Sequence, residues 1–194
     1  MSLVFPETFP GLASERLALG PLTDADLEAL YAIHSDPEAI RYWSTTPWTD
    51  AAPAAAMLAR DREGFTRGEA IRWALRLRGD AALLGVATLF RFSAQNLRAE
   101  TGYILRRSHW GRGYMSEAMD AILDYAFGPM GLLRVEADTD PRNTASVAML
   151  ERLGFAREGL LRRRWIVGGE VSDSLMLGLL KDERPARARK AHEA

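Results

Sequence analysis

The stretch "SHWGRGYMSEA", Ser108 to Ala118, sets Gly111 and Gly113 one residue apart, directly after the apolar run "TGYIL" and directly before an amphipathic helical pattern. A glycine turn that opens a helix presents unpaired backbone N–H groups and the positive end of the helix dipole, and both favour an anion. Gly111 and Gly113 lack Cβ atoms, so a bulky pyrophosphate can lie close against the chain, with Arg112 adding charge and the Ser116 hydroxyl capping or donating. The spacing alone leaves a second reading open, an ordinary strand-to-helix turn whose glycines relieve strain. With 16 glycines in 194 residues a lone G-x-G carries little information, so its position must supply the rest.

Two nucleotide sites meet contrary features. A dinucleotide fold would place Glu136 or Asp138, on the strand after the helix, against a ribose. Ser116, however, stands where the third glycine belongs, and five residues separate the strand core from Gly111. The preceding strands also read as hairpins where a parallel series is required. A Walker loop is excluded because no G-K-[ST] occurs.

Composition narrows the chemistry further. With no cysteine, disulfide frameworks, thiolate nucleophiles and cysteine zinc sites are excluded, and a cytoplasmic location is expected. The three histidines, His34, His109 and His192, are far apart and lack ligand spacing, so no metal is expected. A net charge of -1 gives no basic field for nucleic acid. The opening "MSLVFPETFPG" does not read as a leader, and no run reaches the ~18 apolar residues of a membrane span.

The elements that must position the glycine turn follow from period and punctuation. Residues 1–13 are expected to be a loose start, 14–183 a single domain, and the charged, proline-broken 184–194 a disordered tail. "SERLALGPL" alternates as a strand, and Thr23 with Asp26 forms a capping box before a helix carrying Leu27, Leu30, Tyr31 and His34 on one face. After the turn-rich "STTPWTD", a helix capped by Thr49 or Asp50 directs Met57, Leu58 and Phe65 to a core. "IRWALRLR", "ALLGVATLF" and "ETGYILRR" read as three antiparallel strands. A helix from about Tyr114 to Phe127, the strand "LLRVEADT", a short helix in "NTASVAMLERLGF" and a hairpin around Gly168-Gly169 complete an α+β layout.

In that order and spacing the chain resembles the GNAT N-acetyltransferases, and within them the RimJ/RimL type that acetylates ribosomal-protein N-termini. The likeness rests on "SERLALGPL", "SDPEAIRYW", "AETGYILRRSHWGRGYMSEA", "NTASVAMLERLGF" followed by "EGLLR", and the late Gly-Gly hairpin, from about Ser14 to Glu183. It implies a mixed, mostly antiparallel central sheet of six to seven strands flanked by helices. It also implies acetyl-CoA as cofactor, with the backbone of Trp110, Gly111, Arg112, Gly113, Tyr114, Met115 and Ser116 around the pyrophosphate. The strand Tyr103, Ile104, Leu105 and Arg106 would hold the pantetheine arm, with Asn143 and Ser146 on the other side. Ser108 stands where the family often has Gln or Arg, and Arg106, Arg107 or Arg112 can compensate.

Acyl transfer to an amine needs a neutral nucleophile, a polarised carbonyl and a proton for the leaving thiolate. An α-amine, with a pKa of about 7.7 to 8, is already partly neutral at pH 7, whereas a lysine near 10.4 needs more help. Glu100 is the first candidate base, directly or through water, with a solvated edge carboxylate as the other reading. Many relatives carry a tyrosine where this chain has Leu150, and Ser146 matches a serine proposed as proton donor in the RimJ/RimL branch, or else serves as a cap. Tyr103 and Tyr114 read more as packing. Tyr42, Trp43 and Trp48 fall where the family lines its acceptor groove, with Trp165 facing it from the hairpin; closing the core explains these aromatics almost as well. The acceptor is then a protein or peptide N-terminus. Polyamines, amino acids, aminoglycosides, a non-catalytic acyl-CoA-binding module and a homodimer stay open.

Overall fold

A computed structural model describes residues 2–184. The predicted tail lies outside the described residues apart from Arg184, which ion-pairs with Asp124 at 2.7 Å. One sheet contains β1 (Leu12–Ala13), β2 (Leu17–Gly20), β3 (Ala70–Leu77), β4 (Gly85–Ser93), β5 (Arg98–Leu105), β6 (Arg134–Thr139), β7 (Ala156–Val167) and β8 (Glu170–Leu180), in the spatial order β1-β2-β3-β4-β5-β6-β8-β7. Four helices cover it, α1 (Leu27–His34), α2 (Ala52–Thr66), α3 (Tyr114–Phe127) and α4 (Thr144–Arg152). The α+β class is the expected one. The sheet has eight strands where six or seven were expected, because Leu12–Ala13 folds back onto Ala18–Leu19 as a further short strand.

Alternation within the strands sorts the core into two layers. Ile71, Trp73 and Leu75 of β3 face α3 and α4, while Ala74 faces α1 and α2 with Val86 and Ile104. On α3 the buried set Met115, Ala118, Met119, Ile122, Leu123, Ala126 and Phe127 forms the predicted apolar stripe. The capping box at Thr23 and Asp26 is present, on a single 3-10 turn that leads into α1. Both glycines of the last hairpin have positive φ, 56° at Gly168 and 85° at Gly169, as a two-residue turn between twisted strands demands.

The segment read as a loose start is pinned instead. Fully buried Trp73 donates its indole N–H to the carbonyl of Pro10 at 2.7 Å. Phe5 and Phe9 each stand 5.5 Å from the Phe65 ring. An indole buried in a core needs a hydrogen-bond partner, and here the N-terminal chain supplies it.

The feature that creates a site lies in the middle of the sheet. All neighbouring strands are antiparallel except β5 and β6, whose parallel pairing runs from Arg98↔Arg134 to Thr101↔Ala137 and then stops. Beyond that point β5 stays paired with β4 as far as Leu105, and β6 with β8 as far as Thr139. The two central strands therefore diverge, and the edge of Gly102–Leu105 that faces β6 has no strand partner. Among the described residues no helix is long and apolar enough to cross a membrane.

Candidate active site

The glycine turn sits at one end of this divergence. Gly111 and Gly113 adopt φ of 71° and 79°, the left-handed region that side chains resist, and Gly113 is the N-cap of α3. A glycine cap has no side-chain oxygen to accept the first-turn N–H groups, and the first intrahelical bond there is Glu117 N–H to Gly113 O at 3.0 Å. The amides of Tyr114, Met115 and Ser116 are thus left for an outside acceptor. The side chain of Met115 is buried in the core, so that residue offers only its backbone.

The turn is braced from behind. Arg16 donates to Arg112 O at 3.0 Å and to Glu117 Oε2 at 2.6 Å, and its guanidinium lies 4.6 Å from the Tyr114 ring centre. Trp110 folds back to donate its indole N–H to Leu105 O at 2.7 Å, which ties the loop to the end of β5. His109 sits below its ordinary pKa through partial burial and the neighbouring Arg112 and Arg106, so the loop's surroundings are positive.

At the other end of the divergence is a cavity of about 480 Å³ lined by β5, β6, α4, the 37–47 loop and the β7–β8 hairpin. Glu100, Tyr103, Asn143, Ser146 and Leu150 all face it. Asn143 caps α4, its side-chain oxygen accepting from Ser146 N–H at 3.2 Å. Ser146 Oγ lies 2.7 Å from Tyr103 Oη, a pairing that joins the divergent part of β5 to the first turn of α4. Burial pushes the Tyr103 phenol up to about 12, against a partial opposing effect of the Ser146 hydrogen bond. Glu100 receives a hydrogen bond from Arg91 at 2.9 Å. Leu150, 1% exposed, offers no proton.

The expected acceptor wall divides. Tyr42, Trp43 and Trp165 line the cavity, whereas Trp48 is absent from its lining. Trp48 instead stacks on the buried His34 ring at 4.3 Å and packs into the α1–α2 core layer, the core-closing role. Ile104 also belongs to that layer through its side chain.

Residue types along the chain gave no hint of the cavity's charged frame. Asp138 accepts from Ser174 Oγ and stands 3.5 Å from Arg164 Nε. Asp140 pairs with Arg142 at 2.5 Å. Glu170 in the hairpin binds Arg142 at 2.5 Å and Arg41 at 3.0 Å, and both guanidinium groups lie near the Tyr42 ring. Apart from Asp140 and Arg142, which meet within one local turn, only the folded register brings these groups together. The positive φ of Arg91, 52°, where β4 is irregular between Phe90 and Ser93, gives no local pattern in the residues either.

Comparison with known proteins places this geometry. Residues 16–156 match the model of the "Acetyltransferase (GNAT) domain". The chain is 37% identical over 172 residues to "Uncharacterized N-acetyltransferase p20" of Bacillus licheniformis, covering 89% of this chain and 97% of that protein. In fold it is similar to RimJ of Mycobacterium smegmatis, solved with CoA-disulfide, with a TM-score of 0.83 at 24% identity over 94% of this chain and 93% of that one. It is similar too to the spermidine N-acetyltransferase of Vibrio cholerae, solved with CoA and spermine, with a TM-score of 0.76 at 20% identity over 86% and 96% of the two chains. A turn with free amides beside divergent central strands is thus found in a chain whose sequence matches one family over most of its length, and the protein belongs to the GNAT acetyltransferases, as an acetyl-CoA-dependent N-acetyltransferase.

Proposed function

We propose that the acceptor is the α-amine of a peptide or protein N-terminus, as in the RimJ/RimL type, and that it attacks directly in a ternary complex. The observation that carries this reading is the state of the carboxylates around the cavity. Glu100, Asp138, Asp140 and Glu170 each have an arginine of the same chain beside them, at 2.9, 3.5, 2.5 and 2.5 Å. A polyamine with several positive charges needs carboxylates that are not already matched, whereas one α-amine on a peptide needs little charge. The α-amine is also the acceptor least dependent on a strong base.

The residues present fit acetyl-CoA. The amides from Gly111 to Ser116, with Arg112 and the Gly113 cap, suit the pyrophosphate; the edge of β5 from Tyr103 through Ile104 to Leu105 suits the pantetheine arm, whereas the Arg106 amide is already given to Leu84 O and Leu105 O to the Trp110 indole; Trp110, Tyr114, Met115 and Asn143 frame it. When bound, this group supplies an acyl thioester. Glu100 serves the incoming amine as base, through water, with Arg91 holding it in place. Ser146, whose hydroxyl lies at the cavity beside Tyr103, would supply a proton to the leaving thiolate. Tyr42, Trp43 and Trp165 exclude water from the acceptor.

The experiment is a competition. Acetyl-CoA and the full chain are mixed with peptides of varied N-terminal residue and, separately, with spermidine, following CoA thiol release and locating the acetyl group by mass spectrometry. The expected product carries acetyl on a peptide α-amine. Faster turnover of spermidine than of every peptide overturns the acceptor, and absence of thiol release with any amine supports the non-catalytic module instead.

A further inference from the structure

We infer that Tyr103 is a positioning residue for proton delivery, holding the Ser146 hydroxyl so that its hydrogen points into the gap between β5 and β6. The inference rests on the acetyl-CoA reading of that gap and is independent of which amine accepts. Three observations carry it. The Tyr103 and Ser146 oxygens are 2.7 Å apart, and both residues line the cavity. Tyr103 lies in the part of β5 that has left β6, so its side chain reaches α4 across the gap. Leu150, the other α4 residue lining the cavity besides Ser146, is 1% exposed and has no proton to give, so on that helix the hydroxyl facing the cavity is that of Ser146.

The direction of the hydrogen bond follows from chemistry. A phenol is a stronger donor and a weaker acceptor than an alkyl alcohol, so Tyr103 O–H donates to Ser146 Oγ. The elevated pKa of Tyr103 keeps that proton in place throughout the working pH range. With one lone pair of Ser146 engaged, its own O–H is free to turn to the gap. Ser146 also stands at the third residue of α4, with Asn143 Oδ1 on its amide, so the serine's backbone is fixed as well. The positive end of α4 favours negative charge at the same spot.

In the transfer, the attacking amine bonds to the acyl carbon and Ser146 gives its proton to the leaving sulfur as the carbon–sulfur bond breaks and its electron pair moves to sulfur. The amine's surplus proton passes through Glu100 and water to solvent, and a solvent proton restores the serine. Tyr103 keeps its hydrogen at every stage. The step therefore balances without any further reactant.

The test joins kinetics to a readout that needs no turnover. With Tyr103→Phe, kcat should fall about ten- to a hundred-fold, with the acetyl-CoA KM nearly unchanged. In a Ser146→Ala background the same change should have no further effect, because Tyr103 acts through the serine. Titrating the thiol of bound CoA by its thiolate ultraviolet absorbance should give a pKa about one unit higher in either variant than in the parent, as a hydrogen bond to a charged sulfur is removed. The charged groups lining the cavity, Glu100, Asp138, Asp140, Glu170, Arg41, Arg91 and Arg142, are the same in both variants and do not alter the difference.

Additive kinetic losses, a loss confined to KM, or an unmoved thiol titration with CoA still bound each overturn the inference. Failure of CoA to bind the parent protein instead overturns the reading on which it rests. If Tyr103→Phe does not fold, the thiol titration of Ser146→Ala against Ser146→Thr decides: Thr, which keeps the hydroxyl, should retain the parent value, and loss of that value in both variants counts against the hydroxyl pair.

Discussion

Arg16 and Glu117, 101 residues apart, are joined at both carboxylate oxygens: the backbone N–H of Arg16 donates to Oε1 at 2.7 Å and its side-chain Nε to Oε2 at 2.6 Å. The same guanidinium reaches Arg112 O, so one arginine on the β1–β2 corner fixes the glycine turn and the first turn of α3. Burial acts to raise the Glu117 pKa, but hydrogen bonds from Ser14 and Arg16 outweigh it and hold the carboxyl below its usual range.

Replacing Arg16 with alanine should weaken CoA binding about ten-fold, since a cation beside the phosphate site and the brace of its loop disappear together. Arg16→Lys should recover only part of this, because an ammonium cannot reproduce the fork that spans Arg112 O and the carboxylate. Isothermal titration with CoA checks both. Binding unchanged in Arg16→Ala would separate the brace from the cofactor.

Gly111 offers a sharper probe of the same turn. A Cβ built there meets no protein atom within 4 Å, so alanine should cost only about 1 kcal/mol for its left-handed φ. The melting temperature should fall by roughly 2–4 °C. CoA affinity should fall by at least about ten-fold, because the added methyl stands where the pyrophosphate is expected. Unchanged CoA affinity beside the same fall in melting temperature would mean that the glycine serves the backbone alone.

The contrast between these two residues and the rest of the site shows what the chain discloses before it folds. Gly111, Gly113 and the Gly168-Gly169 turn were legible because left-handed backbone restricts residue type at one position. The α3 stripe and the strand alternation were legible because burial imposes a period. Arg16 beside Glu117, Arg91 on Glu100 and the Ser146–Tyr103 pair were not, because each depends on register across the sheet or on the angle between a strand and a helix. Tyr103 read as packing since its alternation matches a buried strand face. The pinned N-terminal segment was hidden for a similar reason, as the unmet indole N–H of Trp73 can be recognised only once its burial is known.

Glu170 should influence the acceptor and leave the cofactor alone. It links the β7–β8 turn to Arg41 of the 37–47 loop and to Arg142 before α4, closing one side of the cavity mouth. Its pKa lies below the usual range because of hydrogen bonds from Arg142 and Arg41, so the links persist at neutral pH. With Glu170→Gln, stability should scarcely change, exposed pairs being worth little. The acceptor KM should change about three-fold or more, while CoA affinity stays constant. Raising salt on the parent protein should move KM in the same direction, because exposed charge pairs are screened. A change in CoA affinity with an unaltered acceptor KM would contradict this assignment.

Behind the acceptor wall, His34 predicts an acid-sensitive core. The ring is 2% exposed, stacked on Trp48 at 4.3 Å and edge-on to Trp43 at 5.3 Å, and its Nε2 has no hydrogen-bond partner among the described residues. Burial first and the Arg72 charge second lower its pKa to about 4 from the ordinary 6.5. The folded state therefore holds the ring neutral where the unfolded chain protonates it, and the unfolded chain binds more protons between these values. Stability is complete above about pH 6.5, declines as pH falls towards 4, and loses on the order of 3 kcal/mol from this residue over that window. Urea unfolding of the parent and of His34→Phe at a series of pH values measures the difference. The aromatic variant keeps the stack without a titrating group, so its stability should fall less steeply over the same window. Since Trp43 faces the cavity on one side and His34 on the other, protonation should also raise the acceptor KM before the protein unfolds. Parallel pH profiles for the two proteins would show that the ring is not held neutral by its surroundings.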